Sequence, residues 1–507
     1  MPPSMPNPPN FLLPDHPSRR GHLALACLWL LLGGVGQAGP LLTAGDTQLR
    51  QDVQLLADHG VLRGPVTTWP LAWGPVLADL QRIEPDAALP AGVAAAAGRL
   101  RERAEWETRL HEPSYAASVS LAEAPRRIRG YADTPRESAE LGGGVDWTGE
   151  RLAVSLRGQF VDRDGADTEG RADGSMIGLA LGNWLVSANT LDRWWGPGWD
   201  GSLILSGNAR PIPAVALDRN FTDPFETRWL SWLGPWDLSL MMGQLESARE
   251  IPDTLFFGMR LGFRPLPSLE IGLSRTAQWC GDGRSCDLDV FLDLLVGRDN
   301  RGDDDISTDN EPGNQLAGVD FRWSQAGFGW PTAVYGQLIG EDEAGGFPSR
   351  HIGLVGGEAR GRWRGFAWHG FAELAATTCQ FYEASERFNC AYNHQIYRTG
   401  YRYRGRVIGH GADNDARIAS LGFTLTDADD GQWSLLARHG RLNRGGAPDP
   451  RNTLTPVPLD LSSVDVGHRR WLRWGQVDVG LGYERTGVPS GPSDGDWRLH
   501  VEWRSAY

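Results

Sequence analysis

The sequence closes on Trp497-Arg-Leu-His-Val-Glu-Trp-Arg-Ser-Ala-Tyr507. From Trp497 to Trp503 every second residue is aromatic or aliphatic, and the residues between them are charged or histidine. Because successive side chains of a β-strand point to opposite faces, this pattern predicts a strand with one apolar and one polar face. Aromatic residues bracket the aliphatic middle of the apolar face. That order is typical of outer-membrane β-barrels, in which aromatic girdles flank a lipid-facing band and polar side chains line the lumen.

The same alternation recurs in residues 151–160, 255–264, 269–274 and 476–484. A closed barrel satisfies every strand edge, which a bilayer requires. About 390 residues remain after the N-terminal region, and at roughly 22 residues per strand and connection they give roughly 18 strands. The predicted fold class is therefore mainly β: a large transmembrane outer-membrane β-barrel of about 18 antiparallel strands, preceded by an N-terminal α-helical bundle.

The composition agrees with a strand-rich membrane protein. The 507 residues include 65 Gly and 22 Trp, and the mean hydropathy is −0.35. So low a mean hydropathy excludes a protein built of membrane-spanning helices, whereas abundant Gly and aromatic residues suit an all-β protein with many turns. The formal net charge is −14, every basic residue is Arg, and no basic block occurs, so nothing supports nucleic-acid binding.

An export signal is predicted near the start of the sequence. Arg19 and Arg20 precede an apolar run over residues 23–35, and Gly36-Gln-Ala38 offers small residues for cleavage. The run is too short to span a bilayer, so residues 1–38 are interpreted as a secretory signal peptide. Together with the barrel, this peptide predicts a protein of the outer membrane of a Gram-negative bacterium.

Four cysteines remain after the signal peptide, and they form two close pairs. These pairs are Cys280 with Cys286 and Cys379 with Cys390. In an exported protein such pairs predict two local disulfides. A metal site is the alternative, but no histidine lies near the first pair, so we expect neither a metal nor another cofactor.

The chain divides into three predicted parts: the signal peptide, a periplasmic helical bundle over residues 39–113, and the barrel over residues 114–507. Three helices are predicted in the bundle, the first capped by Asp46 and ending near Gly60, the second opened by Thr67, Thr68 and Pro70, the third over residues 91–110.

Polar stretches between the strands are predicted to be turns and external loops. They are residues 299–310, 340–346, 427–431 and 445–459. The carboxylates of residues 303–305 could bind calcium, but a solvated loop is the favoured interpretation.

Tryptophan is concentrated in two segments, Asp192-Arg-Trp-Trp-Gly-Pro-Gly-Trp-Asp200 and Arg228-Trp-Leu-Ser-Trp-Leu-Gly-Pro-Trp236. Flat aromatic rings beside Arg and Asp suit a sugar-binding surface, but they also suit a membrane-interface girdle or simple packing. The candidate polysaccharide contacts are Arg193, Trp195 and Trp199, with Asp192 and Asp200 beside them. The charged members could equally form an internal network that makes a plug rigid.

The order of these motifs resembles the Wzi family of capsule-assembly outer-membrane proteins. Two stretches resemble that family's N-terminal helical region: Gly45-Asp-Thr-Gln-Leu-Arg50 and Thr68-Trp-Pro-Leu71. Tyr131-Ala-Asp-Thr-Pro-Arg136 resembles its entry into the first strands. The further similar segments are Leu191-Asp-Arg-Trp-Trp-Gly-Pro-Gly-Trp-Asp-Gly201, Ser206-Gly-Asn-Ala-Arg-Pro-Ile-Pro213, Trp229-Leu-Ser-Trp-Leu-Gly-Pro-Trp236, Met259-Arg-Leu-Gly-Phe-Arg-Pro265, Glu270-Ile-Gly-Leu-Ser-Arg-Thr276 and Gly313-Asn-Gln-Leu-Ala-Gly318.

This resemblance implies a barrel of about eighteen strands with a helical bundle at its periplasmic end. It further implies a non-catalytic, lectin-like protein that binds and organises capsular or extracellular polysaccharide at the cell surface. The two cysteine pairs are not part of the resemblance.

Two other functions remain open at this stage. A polar lumen would suit a porin or a polysaccharide-conducting channel, although the helical bundle favours a plugged barrel. A hydrolase would need a paired acid and base, and no spacing of carboxylates selects one, so we expect no enzyme and no catalytic residues. The expected partners are polysaccharide, outer-membrane lipids and the barrel-assembly machinery, which would bind the C-terminal strand; nucleic acid is not expected, and the protein is expected to be a monomer.

Overall fold

The computed structural model describes residues 41–84, 86–163, 167–295, 313–327, 330–344, 347–445 and 451–505. The predicted signal peptide and the candidate calcium loop at residues 303–305 lie outside these ranges. Within them, no helix is long and apolar enough to cross a membrane.

The described strands close into an antiparallel barrel of 18 strands, which confirms the predicted fold class. In chain order the strands are β1 (Ser114–Ala122), β2 (Ala139–Thr148), β3 (Leu152–Arg163), β4 (Asp167–Arg171 and Met176–Leu181), β5 (Trp184–Asn189), β6 (Ala214–Arg219), β7 (Trp236–Gln244), β8 (Leu255–Leu266), β9 (Leu269–Trp279), β10 (Gly313–Gly327), β11 (Trp330–Ala344), β12 (Phe347–Trp363), β13 (Phe366–Ala376), β14 (Arg417–Thr426), β15 (Gln432–Leu442), β16 (Leu459–Leu472), β17 (Gly475–Gly487) and β18 (Ser493–Arg504). The two segments of β4 occupy one position because both pair with β3.

Each strand follows its sequence neighbour, and the ring closes where β18 meets β1. This seam pairs residues 500–504 with residues 118–122. The other side of β18 pairs over its whole length with residues 476–487 of β17. The seam is therefore held by fewer cross-strand pairs than the other junction of the same strand.

The alternating residues face lipid and lumen as predicted. On β18, Trp497, Leu499 and Val501 are 63%, 46% and 42% exposed, whereas Arg498 is buried toward the lumen at 7%. Exposed tryptophans cluster at strand ends, including Trp330, Trp363, Trp433 and Trp474. A lipid-facing aliphatic band with aromatic borders is the arrangement that outer-membrane barrels require.

The two ends of the barrel have different connections. At one end most joins are short turns, such as residues 149–151, 267–268 and 364–365; at the other, long connections include residues 190–213 and 377–416. Outer-membrane barrels carry short turns on the periplasmic side and long loops outside. The short-turn end is therefore the periplasmic end, and the other is called the outer end below.

Three helices stand at the periplasmic end: α1 (Thr47–Asp58), α2 (Trp73–Gln81) and α3 (Ala91–Glu107). The Asp46 carboxylate accepts the backbone N–H groups of Gln48 and Leu49, so it caps α1 as predicted. Arg99 on α3 forms an ion pair of 3.0 Å with Asp430, in a turn between two barrel strands. The bundle is thereby fastened to the rim of the barrel.

The predicted start of the second helix is wrong. Thr68–Trp69 is a two-residue strand, and α2 begins only at Trp73. Thr68 and Trp69 pair with Trp195 and Trp194, far along the chain. This tertiary pairing fixes an extended backbone where the local sequence suggested a helix terminus.

Two predicted loops have different outcomes. Residues 427–431 are the turn between β14 and β15, as predicted. The loop predicted at residues 340–346 is wrong for residues 340–344, because β11 continues to Ala344 and Asp342 pairs with Ser349 on β12. Residues 345–346 lie outside the described ranges.

The barrel interior is filled by two of the long outer connections. Residues 190–213 and 377–416 together are called the plug. Their buried side chains share one core with inward residues of the wall, among them Trp195, Leu203, Tyr335, Tyr392 and Ile408. A disulfide joins Cys379 to Cys390 within the plug, and another joins Cys280 to Cys286 just after β9.

Candidate functional site

The tryptophan motif of residues 192–200 lies inside the barrel. Its connection leaves the outer end of β5 and returns into the lumen, where Trp194 and Trp195 pair with the N-terminal segment. Gly196 adopts φ 130°, and a Cβ there would lie 2.8 Å from Nε2 of Gln337. Both the positive φ and the close approach of Gln337 favour glycine at position 196, because a side chain there would be strained.

Arg50 of α1 joins the helical bundle to this motif. Its guanidinium carbon lies 4.3 Å from the ring centre of Tyr131 and 4.2 Å from that of Trp199. Its Nη2 donates to the carbonyl oxygen of Pro197 at 2.7 Å. A buried cation between two aromatic faces is stabilised by the ring quadrupoles. Tyr131 belongs to the connection between β1 and β2, where its ring also packs against Trp194 and Trp199 of the plug.

Carboxylates of the barrel wall hold the other side of the motif. Glu373 on β13 accepts the backbone N–H groups of Trp199 and Gly201, each at 2.8 Å. Glu358 on β12 accepts Nε1 of Trp199 at 2.9 Å. Both groups are buried, so the low-dielectric interior strengthens these hydrogen bonds. The wall and the motif are built as one unit.

Asp200 completes this attachment. Its carboxylate accepts Nη2 of Arg438 on β15 at 2.6 Å and also contacts the Ser420 hydroxyl on β14. Burial favours the neutral acid, but Arg438 outweighs burial and holds the pKa of Asp200 below its ordinary value. The carboxylate is therefore ionised in the plug.

The five predicted contact residues have two different environments. Arg193, Trp195, Trp199 and Asp200 are 5%, 0%, 5% and 1% exposed. Asp192 differs, because its side chain is 34% exposed. Arg193 donates to Oδ1 of Asn189 at 2.9 Å and Asp200 pairs with Arg438, so these two charged residues make internal contacts of the kind that the sequence offered as the alternative to a ligand site. Trp195 and Trp199 are packed in the core of the plug. Direct contact of these four with a polysaccharide remains a prediction.

A cavity of about 340 Å³ separates the plug from β1, β2 and β3. The space exists because the inward side chains of the first two strands are small, among them Ser118, Ser120 and Gly142. The cavity extends from Trp106 at the periplasmic end to Asp192 at the outer end. Its volume lies in the range of small-molecule sites, roughly 300–1,000 Å³. It is called the lumen cavity below.

Arginines and carboxylates are paired at the outer end of the lumen cavity, which Arg136, Arg171, Asp173 and Asp192 line. Arg136 pairs with Asp192 at 2.9 Å, and Arg210 pairs with Asp173 at 2.8 Å. Arg171 pairs with Glu137 at 2.6 Å and with Glu169 at 2.9 Å. Paired in this way, the groups keep donors and acceptors side by side, which suits hydroxyl-rich ligands. Sequence reasoning missed all of them except Asp192, because they come from four separate connections and strands.

The second half of the plug lies on top of the first. Tyr392 donates its hydroxyl to the Leu203 carbonyl at 2.7 Å, and Tyr401 donates to the Ile204 carbonyl at 2.7 Å. His410 is buried here, and burial lowers its pKa to about 4. His410 is therefore neutral at physiological pH. Among the described residues, the contacts of Tyr392 and Tyr401 with the first half of the plug close the lumen from the outer side.

The second tryptophan cluster lies elsewhere. Trp229 and Trp232 are 83% and 61% exposed on the long connection at the periplasmic end. Trp232 packs edge-on against Phe263, at a lipid-facing position of β8. Trp232 therefore stands at the membrane side of the barrel, and both rings lie at the surface of the protein.

Three comparisons relate the chain to known proteins. Residues 113–493 match the family model described as capsule assembly protein Wzi. An uncharacterized 55.8 kDa protein in the cps region of Klebsiella pneumoniae is 33% identical over 325 residues, which are 64% of this chain and 62% of that protein. The match thus spans less than two thirds of that relative. The solved structure of Wzi from Escherichia coli is 27% identical with a TM-score of 0.80, and the superposition covers 93% of this chain and 100% of that chain. That protein is described as an outer-membrane, carbohydrate-binding β-barrel involved in group 1 capsule assembly.

Proposed function

The chain belongs to the capsule assembly protein Wzi family, and on that premise we propose that it is an outer-membrane barrel that binds and organises capsular or related extracellular polysaccharide at the cell surface. The observation that carries this proposal is the likeness to the carbohydrate-binding barrel of Escherichia coli, at a TM-score of 0.80 over 93% of this chain. The protein acts by binding, without catalysis. Export by the peptide of residues 1–38, insertion through the C-terminal strand by the barrel-assembly machinery, and a monomeric state complete the proposal.

The sugar contact is proposed at the outer end of the lumen cavity. Asp192 lines this end and is partly exposed, while the other four candidate residues are engaged by the plug and the wall. Arg136 and Arg171 line the same cavity and supply donors, and Asp173, which pairs with Arg210, supplies a further acceptor. Sugar hydroxyls need both kinds of group at close range, because each hydroxyl donates and accepts.

A filled lumen argues against the second candidate, a conducting channel. The plug shares its core with the wall, and Trp195, Tyr392 and Ile408 are almost fully buried in it. A polysaccharide chain would have to displace this core to pass. We therefore propose a surface receptor in preference to a pore.

The cellular experiment removes the protein and measures polysaccharide that stays on the cell against polysaccharide released into the medium. A shift toward release supports the proposal, and an unchanged partition contradicts it.

The molecular experiment uses purified protein in lipid nanodiscs and polysaccharide isolated from the same bacterium. Asp192→Asn should weaken binding by about tenfold, the loss expected for one charged hydrogen bond. Asp146→Asn is the matched control, because Asp146 lines the periplasmic half of the same cavity and pairs with Arg157 at 2.7 Å. Equal losses in both variants would contradict the location, and no binding by the unaltered protein would contradict the function.

A further inference from the structure

Part of the lipid-facing wall is covered by the protein itself. The alternation of β8 and β9 places Phe257 and Trp279 on the outer face, yet they are only 8% and 6% exposed. Leu273 lies on the same face of β9 and is 44% exposed. The covered patch is therefore local, and it lies toward the outer end, where β8 begins and β9 ends.

A short helix covers this patch. It is α4, Leu288–Leu295, and it follows the loop that the Cys280–Cys286 disulfide closes. The ring of Phe291 lies 5.2 Å from the ring of Phe257 and 4.8 Å from that of Trp279. The chain thus leaves the barrel rim at β9 and turns back over the outside of the wall, away from the lumen.

The sequence of α4 is amphipathic. Leu288, Phe291 and Leu292 follow the spacing of one helical face, and Asp289 lies about 100° around the helix from Leu288. Phe291 packs against the wall, whereas Leu288 and Leu292 are 67% and 49% exposed. These leucines flank a patch of the wall that itself faces lipid, so the apolar surface of the barrel continues onto the helix.

We propose that α4 is a membrane-interface helix, with Leu288 and Leu292 inserted among the acyl chains of the outer leaflet. Three observations select this occupant: the helix rests on lipid-facing wall positions, these positions lie toward the outer end of β8 and β9, and Asp289 lies off the helical face that carries the leucines. Amphipathic helices of this kind lie in the plane of the bilayer interface. The disulfide sets where the helix can reach, because it shortens the link between the wall and α4.

The test places an environment-sensitive fluorophore at one of two adjacent positions of the full-length protein in lipid vesicles. Leu288→Cys and Asp289→Cys are each labelled with nitrobenzoxadiazole in protein that also carries Cys27→Ser, because the other four native cysteines are held in disulfides. A nitroxide on the acyl chain near the headgroup should quench the label at position 288 at least twice as strongly as the label at position 289. A water-soluble quencher should give the opposite order.

Equal quenching at the two positions overturns the proposal. A second measurement repeats the experiment at increasing lipid-to-protein ratios. If the shielding of position 288 disappears on dilution in lipid, a second copy of the chain covers the helix and the proposal fails; shielding that persists supports it. Heat-modifiable electrophoretic mobility of each labelled variant shows that the barrel is folded before quenching is compared.

Discussion

Replacing Asp200 by Asn should unfasten the plug from the barrel wall. Asp200 and Arg438 have side chains 1% and 2% exposed, joined at 2.6 Å. Removing one partner of a buried ion pair leaves the other charge uncompensated, which costs about 3–5 kcal/mol. Asn keeps the volume of Asp and one hydrogen-bond acceptor, and the carboxylate of Asp465, 4.0 Å away, still partly compensates the charge of Arg438. The expected loss in the free energy of unfolding is therefore at the lower end of this range, about 3 kcal/mol. Urea unfolding in lipid vesicles, followed by tryptophan fluorescence, measures this loss.

The same strand supplies the matched control. Arg441 pairs with Asp460 at 2.6 Å, but the two side chains are 49% and 44% exposed. An exposed pair contributes about 0–1 kcal/mol, so Asp460→Asn should change little. The contribution of Asp200 should be present above pH 4 and decline as the pH falls below its ordinary pKa of 3.8, because its pKa is lowered in the folded protein. Similar losses in the two variants, or a loss that does not depend on pH, would refute the reasoning.

Three further outcomes are expected. Planar bilayers with the unaltered protein should show no porin-like current steps, whereas replacing residues 196–208 by a Gly-Ser linker should open a conducting lumen; equal currents would count against a structural plug. Replacing Cys379 and Cys390 by Ser should cost about 3 kcal/mol by the loop-entropy model and speed proteolysis of the loop that they close, and an unaltered cleavage rate would show that packing alone holds it. Burial opposes ionisation of Asp46, but Arg103 and Arg469 lower its pKa to about 2, so Asp46→Asn, which keeps an acceptor for the cap and removes the charge, should cost about 1 kcal/mol at neutral pH. This cost should shrink as the pH falls from the ordinary pKa of 3.8 through about 2; hydrogen exchange in the first helix measures it, and a cost that does not change with pH would contradict the assignment.

The membrane-facing half of the fold follows from local patterns. Alternation along a strand such as β18 is set by the backbone itself, so Trp497 and Leu499 could be placed toward lipid without knowing any neighbour. The cap at Asp46 is equally local. These features depend on residues a few positions apart.

The interior could not be derived in the same way. Trp199 belongs to a distinctive sequence motif, but its burial depends on Glu358, Glu373 and Arg50, which lie far away in the chain. The covered position of Phe257 likewise depends on a helix that folds back after β9. The tryptophan motif of residues 192–200 therefore indicates the family more securely than it indicates a ligand contact, because aromatic and charged side chains suit internal packing as well as sugar binding.

The short seam between β18 and β1 has a consequence for how the molecule is assembled. The plug folds inward from the outer rim and is attached to the wall strands β12, β13 and β15, so its docking requires those strands to be in place. Every other junction joins strands that are neighbours in sequence and can form as a growing open sheet. Only residues 118–122 and 500–504 must wait for the two ends of the chain to meet. With five residue pairs the seam is as short as the junction of β6 with β7, but it alone joins strands from opposite ends of the barrel sequence. We therefore expect the seam to close last, while the plug docks onto a curved but open sheet.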